Sequence, residues 1–207
     1  MPDYFDENDL SALLSLCTDH SFRKFSAKMT VEANCWRKIR TEHKVKTIDY
    51  LNLKRMFMTT RMQDLRLATA SKTDYRWIEA LSRANMMAYY RRYGLIWNGE
   101  HYSTLLHSLN VLVICSRQQS AGFVSQQINS QDSFCLINDL QLYPQWQQKG
   151  IGTWVLEQIE GQAQQQGLKS LRICAFRDNP AKGLYQRHGF RQVSESTEIL
   201  RLEKTLR

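Results

Sequence analysis

A strand, a glycine-containing loop and a helix follow one another at residues 134–166, and this segment constrains the fold more than any other. Phe134–Leu142 is predicted to be a buried strand, and Gly150–Gln166 an amphipathic helix. Between them, Gln147–Gly152 has the pattern Q-x-x-G-x-G. The first N–H groups of a helix have no intrahelical acceptor, and the helix dipole adds partial positive charge there. The segment therefore predicts a phosphate or pyrophosphate site at the start of the helix.

The composition of the loop fits such a site. Gly150 and Gly152 carry no side chain that would keep a phosphate away from the backbone. Lys149 and the amide of Gln147 add hydrogen-bond donors. Taken alone, the same six residues are equally consistent with an ordinary strand-to-helix turn. A second motif is therefore needed to distinguish a phosphate site from such a turn.

The rest of the chain predicts a mixed layer of strands and helices. From residue 65 onward the predicted order is strand, helices, three strands, helix, strand, helix, strands, which indicates an α+β (α/β three-layer) fold. Its central sheet is expected to be mostly antiparallel, with one parallel crossover and flanking helices. The predicted elements are strand 65–69; helix 74–93, capped by Ser71 or Thr73 and stopped by Gly94; strands 111–115 and 122–127 around a turn at 117–121; strand 134–142; helix 150–166; strand 171–176; helix 180–188; and short strands at 192–193 and 199–202.

A second motif lies one helix and one strand after the first. Asn179-Pro180-Ala181-Lys182 opens a helix that continues with Leu184-Tyr185 and ends before Gly189-Phe190. The two motifs together resemble the GNAT superfamily of N-acetyltransferases, in element order over residues 64–207 and most closely over 134–193. The resemblance implies a GNAT-like sheet whose parallel strand pair is splayed at the cofactor, and acetyl-CoA as co-substrate.

The resemblance also implies which residues bind acetyl-CoA. The backbone of the strand would pair with the pantetheine arm, the loop would hold the pyrophosphate, and Asn179 and Lys182 would contact the pantetheine and the phosphates. No pattern of metal ligands is present, so no metal is expected. The implied cofactor-binding residues are Leu140, Gln141, Leu142, Gln147, Gln148, Lys149, Gly150, Ile151, Gly152, Thr153, Asn179, Lys182 and Tyr185.

Two side chains are candidates for catalysis. Tyr185 occupies the position of the family's general acid, which protonates the departing CoA thiolate; otherwise it is an amphipathic tyrosine packed on the sheet. Asp139 is the best carboxylate for removing the proton of the amine, although Asn138 stands where many members carry Glu. A water relay or a purely structural carboxylate remains open for Asp139. A strand N–H near Leu140 is suited to stabilise the carbonyl oxygen as it becomes negative.

The acceptor is predicted to be a primary amine of a small molecule, peptide or protein, acetylated by direct transfer. Its site is expected on the helices between Asp74 and Ser108, which are rich in aromatic residues and also carry Glu100 and His101. The net charge of +8 favours a neutral or acidic acceptor over a polycation. The alternative is a CoA-binding regulator, or a nucleic-acid-associated binding module, that keeps the fold without transfer.

The resemblance leaves residues 1–62 outside the minimal fold, so the chain is expected to consist of a basic helical extension, residues 1–62, and a GNAT-like acyltransferase domain, residues 63–207. Residues 21–60 carry ten Lys or Arg against three acids, and their spacing predicts helices. Packing on the domain is favoured for this extension over a dimerisation arm that would make a homodimer, and over binding to nucleic acid. No segment is apolar enough to span a membrane, no signal peptide is evident and the five cysteines form no motif, so a cytoplasmic location is expected.

Overall fold

A computed structural model describes residues 64–207. The predictions for residues 1–62 as a helical extension, and for its roles, lie outside the described residues. In the described part, strands and helices follow in the predicted order. They are β1 (Leu65–Thr69), α1 (Tyr75–Arg92), α2 (Gly99–Ser108), β2 (Asn110–Ser116), β3 (Gln119–Asn129), β4 (Phe134–Leu142), a 3-10 turn (Pro144–Trp146), α3 (Ile151–Gln165), β5 (Ser170–Phe176), α4 (Ala181–Arg187), β6 (Arg191–Glu195) and β7 (Ile199–Thr205).

The strands form one seven-stranded sheet in the order β1-β2-β3-β4-β5-β7-β6. Every neighbouring pair is antiparallel except β4 and β5, which are joined through α3 and run parallel. This is the expected mixed, mostly antiparallel sheet with one parallel pair.

The two faces of the sheet are covered by different helices. Side chains alternate along a strand, so Leu112 and Ile114 lie on one face while Val111 and Val113 lie on the other. The first pair belongs to a core shared with α3 and α4, and the second to a core shared with α1 and α2. Within 64–207, no helix is both long and apolar enough to cross a membrane.

Two local predictions were wrong in detail. The turn between β2 and β3 is shorter than 117–121, because β3 already begins at Gln119 and the tight turn relies on Arg117 at a φ of 56°. The N-cap of α1 is Asp74, neither Ser71 nor Thr73. Its carboxylate accepts hydrogen bonds from the N–H and Oγ of Ser71 and from Trp77 Nε1, which ties the loop to the first turn.

Candidate active site

The parallel strands β4 and β5 separate halfway along their length. Their pairing runs from Phe134 with Ser170 to Ile137 with Ile173 and then stops. Beyond that point β4 continues to Leu142, paired only with β3, and β5 continues to Phe176, paired only with β7. The sheet therefore has a wedge-shaped gap in its middle, with unpaired strand edge on the β4 side.

The gap opens at a β-bulge. Gln126 of β3 pairs with Ile137 and its neighbour Ser125 pairs with Asp139, so Asn138 is the extra residue in β4. The Nδ2 of Asn138 is buried and has no hydrogen-bond partner within residues 64–207. An unsatisfied buried donor costs roughly 1–3 kcal/mol, and such groups often mark the place of a ligand.

The Gln147–Gly152 loop leads directly into α3. Gln148 and Gly150 adopt left-handed backbone conformations, with φ of 57° and 80°, and Gly150 is the N-cap of the helix. Lys149 Nζ lies 5.7 Å from the ring centroid of Trp146. Ile151, Gly152 and Thr153 form the first turn of α3, whose N–H groups are those that lack an intrahelical acceptor.

The structure shows contacts of Gly152 and Gln147 that the sequence did not predict. A Cβ on Gly152 would lie 2.8 Å from Leu184 Cδ2, so this glycine permits the close packing of α3 against α4. The amide of Gln147 points back to the strand, with Nε2 donating to the carbonyl of Leu142 at 3.0 Å. That carbonyl also accepts from Asn85 Nδ2 of α1 at 3.2 Å, so a pantetheine amide would have to replace one of these donors.

Within β4, the residues implied in cofactor binding divide between the two faces. Leu140 and Leu142 pack against the core beside α3. Gln141 is buried on the opposite face, where its Nε2 donates to Asp139 and its Oε1 accepts from Asn85. Its side chain is thus part of the support for Asp139, while its backbone pairs with Phe123 of β3.

The Asn179 motif forms the start of α4. Asn179 Oδ1 accepts a hydrogen bond from the N–H of Ala181 at 2.9 Å, and the side-chain amide makes no other hydrogen bond in the described part of the chain. Lys182, which follows Ala181, is partly buried. Both side chains thus lie at the start of the helix that carries Tyr185.

The ring of Tyr185 is held in the core. The side chain is 5% exposed, belongs to the core beside α3 and meets Phe190 edge-on at a centroid distance of 6.0 Å. Its hydroxyl makes no hydrogen bond to any of residues 64–207. Burial raises the pKa of Tyr185 above its usual value, and the negative charge of Asp139 raises it further, so the phenol keeps its proton.

Asp139 is held by four donors from four elements. Its Oδ1 accepts from Ser82 Oγ at 3.4 Å and from Gln141 Nε2 at 3.2 Å, and its Oδ2 accepts from Tyr102 Oη at 3.0 Å and from Ser125 Oγ at 3.2 Å. Burial raises the pKa of Asp139, and the four hydrogen bonds oppose that rise. A carboxylate with a raised pKa is better matched to take a proton near neutral pH than an exposed one.

The two predicted catalytic groups approach the gap from opposite faces. Asp139 hydrogen-bonds to side chains of α1 and α2, whereas Tyr185 projects from α4 on the other face. The charge of Asp139 still acts on Tyr185, because the unpaired segments of β4 and β5 leave the sheet open between them. This arrangement can place a proton donor and a proton acceptor on two sides of one bound group.

An aromatic cluster lines the α1–α2 side of the gap. Phe176, at the end of β5, is stacked by Tyr89 and Tyr93 at centroid distances of 5.1 and 5.6 Å and meets Tyr90 edge-on at 5.8 Å. From Tyr90 the contacts continue to Trp97 at 5.2 Å and from Trp97 to Tyr102 at 4.7 Å. The cluster therefore connects the mouth of the gap to Asp139.

The other acceptor candidates are not part of this cluster. Glu100 and His101 lie exposed in the first turn of α2. His107, near the end of the same helix and not among the acceptor candidates, stacks on Tyr75 at 4.3 Å. The sequence patterns singled out none of Ser82, Asn85, Tyr102 and Ser125, although Tyr102 is one of the aromatic residues between Asp74 and Ser108.

Comparison with known proteins agrees with this geometry. Residues 107–192 match the family model described as acetyltransferase (GNAT) domain. The matched residues run from the end of α2 into β6, so this part of the chain, which includes the gap and Tyr185, is similar to a GNAT acetyltransferase domain. A search of curated proteins finds no match to the sequence.

Solved structures share the fold at low sequence identity. The PaiA N-acetyltransferase of Thermoplasma acidophilum, crystallised with coenzyme A, is 18% identical with a TM-score of 0.56, covering 68% of this chain and 98% of its own. The ribosomal-protein-S18-alanine N-acetyltransferase of Escherichia coli is 15% identical with a TM-score of 0.52, covering 69% and 94%. Mutant forms of the spermidine/spermine N-acetyltransferase SpeG of Vibrio cholerae are 17% identical with a TM-score of 0.54, also covering 69% and 94%.

Proposed function

We propose that this chain transfers the acetyl group of acetyl-CoA directly to a primary amine of a small molecule or a peptide. The observation that carries the proposal is the gap between β4 and β5, with the unbonded hydroxyl of Tyr185 on one side and Asp139 on the other. The structural relatives add support, since one was crystallised with coenzyme A and others are named as N-acetyltransferases of a protein alanine and of polyamines.

Acetyl-CoA fits the features of the gap. The unpaired edge of β4 from Asn138 to Leu142 can add one more strand-like partner, which is how an extended amide-containing arm binds a sheet edge. The first turn of α3 offers N–H groups and a positive dipole end to the pyrophosphate. With the arm along β4, the thioester would lie near the bulge, between Tyr185 and Asp139.

The reaction follows from these positions. The amine loses a proton toward Asp139 and attacks the thioester carbonyl carbon, whose oxygen becomes negative. Backbone N–H groups of β4 can stabilise that oxygen, as can the Nδ2 of Asn138, which has no hydrogen-bond partner among residues 64–207. The carbon–sulfur bond then breaks, and Tyr185 gives its proton to the thiolate, which leaves as free CoA. The tyrosine proton is recovered from solvent.

Cofactor binding is tested by a thermal shift. Acetyl-CoA at a hundred times its Kd should stabilise the protein by about 2.7 kcal/mol, which is roughly 5–10 °C for a protein of this size. Gly150→Glu should remove the shift, because the new carboxylate would repel the pyrophosphate. Gly167→Glu is the matched control, since Gly167 also has a positive φ, 70°, but lies at the far end of α3. Absence of a shift in the wild type at millimolar acetyl-CoA contradicts the proposal.

Transfer is tested by CoA release. Wild-type protein is incubated with acetyl-CoA and a panel of small primary amines and of peptides with a free N-terminal amine. The free CoA that forms is followed with a thiol reagent. Tyr185→Phe should lower kcat by about 100-fold or more while acetyl-CoA still raises the melting temperature, as expected for loss of a general acid. Tyr75→Phe, which removes a hydroxyl from the ring stacked on His107, should leave kcat unchanged. If the chain binds acetyl-CoA but no amine in the panel causes CoA to be released, the chain is instead a CoA-binding regulator.

A further inference from the structure

The carboxylate of Asp139 has no place left for a direct contact with the amine. An ionised carboxylate offers about four acceptor positions. Four donors already fill them: Ser82, Tyr102, Ser125 and Gln141. An ammonium group could reach either oxygen only by displacing one of these donors. A base that is so enclosed must receive its proton through one of its own hydrogen bonds.

Only one of the four donors is suited to pass a proton from the bound amine to Asp139. Ser82 and Ser125 are both 0% exposed, and Gln141 is an amide that is 7% exposed. Tyr102 is partly exposed, and its ring contacts Trp97. Trp97 in turn contacts Tyr90, which lies at the mouth of the gap. Its hydroxyl can donate to Asp139 and accept from the amine at the same time.

We propose that Tyr102 is the group that takes the proton from the acceptor ammonium, and that Asp139 receives the phenolic proton in exchange. This inference rests on the proposed amine transfer. One N–H bond of the ammonium breaks and an O–H bond forms on Tyr102, while the original O–H bond of Tyr102 breaks and one forms on Asp139. The neutral amine then attacks the thioester. As the carbon–sulfur bond breaks, the nitrogen loses its second proton to solvent and Tyr185 protonates the thiolate, and Asp139 returns its proton to solvent after the products leave.

The electrostatics require the two transfers to be coupled. Burial raises the pKa of Tyr102, and the adjacent charge of Asp139 raises it further, so the phenol does not ionise by itself. The other titratable groups that act in this region are Glu79 and Tyr90 on α1 and Tyr185 on α4. None of these is hydrogen-bonded to Asp139. Among residues 64–207, the 3.0 Å contact from Tyr102 is thus the one hydrogen bond that joins the carboxylate to a partly exposed side chain.

The test compares two amines of similar size, ethylamine and trifluoroethylamine. At neutral pH ethylamine is an ammonium ion and must lose a proton before it can attack, whereas trifluoroethylamine is largely neutral and needs no proton removed before attack. Tyr102→Phe keeps the ring beside Trp97 but removes the relay. We expect it to lower kcat/KM about 100-fold for ethylamine and less than about threefold for trifluoroethylamine, relative to wild type with the same amine.

Controls separate the relay from other effects. Asp139→Asn should likewise lose much more kcat/KM with ethylamine than with trifluoroethylamine. It serves as a second variant if Tyr102→Phe folds poorly. Tyr75→Phe should behave as wild type with both amines. Equal losses on the two amines, or no loss on ethylamine, would overturn the relay. Wild-type protein that acetylates neither amine would count against the proposed transfer to small amines, and with it the relay.

Discussion

Gly122 of β3 should be the least replaceable glycine in the described structure. A Cβ built on it would lie 2.0 Å from the carbonyl oxygen of Gln141 and 2.9 Å from Cα of Leu142. Both are backbone atoms of β4, so no side-chain rotation can relieve the overlap. Carbon and oxygen that are not bonded stay more than 3 Å apart, so the two strands would have to separate by about 1 Å locally, weakening ladder hydrogen bonds.

The stability change expected for Gly122→Ala can be compared with that of a second glycine-to-alanine variant that should stabilise the protein. Overpacking in a rigid site costs about 1–3 kcal/mol and sometimes more, so we expect Gly122→Ala to destabilise by about 3 kcal/mol. Gly161, inside α3, has no atom within 4 Å of its built Cβ. Gly161→Ala should therefore stabilise by up to about 1 kcal/mol through helix propensity. In melting temperature these are a fall of roughly 6–12 °C and a rise of roughly 2–4 °C.

Urea unfolding followed by circular dichroism, with thermal melts alongside, measures both variants. Because the chemical change is the same, differences in the unfolded chain largely cancel between them. Two variants of equal stability, or a Gly122→Ala protein as stable as wild type, would refute the backbone-contact argument. The clash lies on the strand that faces the gap, so Gly122→Ala should also weaken acetyl-CoA binding.

Further predictions concern stability. Glu160 accepts hydrogen bonds from His188 at 2.9 Å and Lys204 at 2.6 Å in a largely buried cluster, so Glu160→Ala should cost about 1–3 kcal/mol in urea unfolding. Glu157→Ala on the exposed side of the same helix should cost less than about 0.5 kcal/mol, and equal effects would contradict the cluster's role. The pKa of Asp139 is raised on folding, so its ionised form destabilises the fold and that penalty grows as pH rises above the unfolded value. Unfolding free energies of Asp139→Asn minus wild type should therefore increase from pH 4 toward neutrality, and a flat difference would contradict the raised pKa.

The elements near the gap could be predicted because their signals are local. The apolar run Phe134–Leu142 matches β4 at both ends, and Gly150 falls at the N-cap of α3 with the positive φ that glycine adopts readily. The alternation of a strand also holds the information that Gln141 faces away from Leu140 and Leu142. Applying it would have predicted that the side chain of Gln141 lies on the same face of the sheet as Asp139.

The support of Asp139 could not be predicted, because it depends on contacts between distant parts of the chain. Its donors Ser82, Tyr102 and Ser125 are 57, 37 and 14 residues away in sequence. Serine and tyrosine are common on helices and strands, so none of the three forms a recognisable pattern by itself. The bulge at Asn138 is likewise set by the register between two strands, which hydrophobic periodicity does not fix.

The contact between Gly152 and Leu184 has a consequence for how this protein can change through evolution. The first residue belongs to the turn proposed to hold pyrophosphate, and the second precedes Tyr185 on α4. A larger residue at 152 requires the end of the Leu184 side chain to move or a smaller residue to stand at 184, so the two positions are expected to vary together. Through that pair, variation in the phosphate-facing turn is restricted by the placement of the tyrosine, and Gly152→Ala should be rescued by Leu184→Ala.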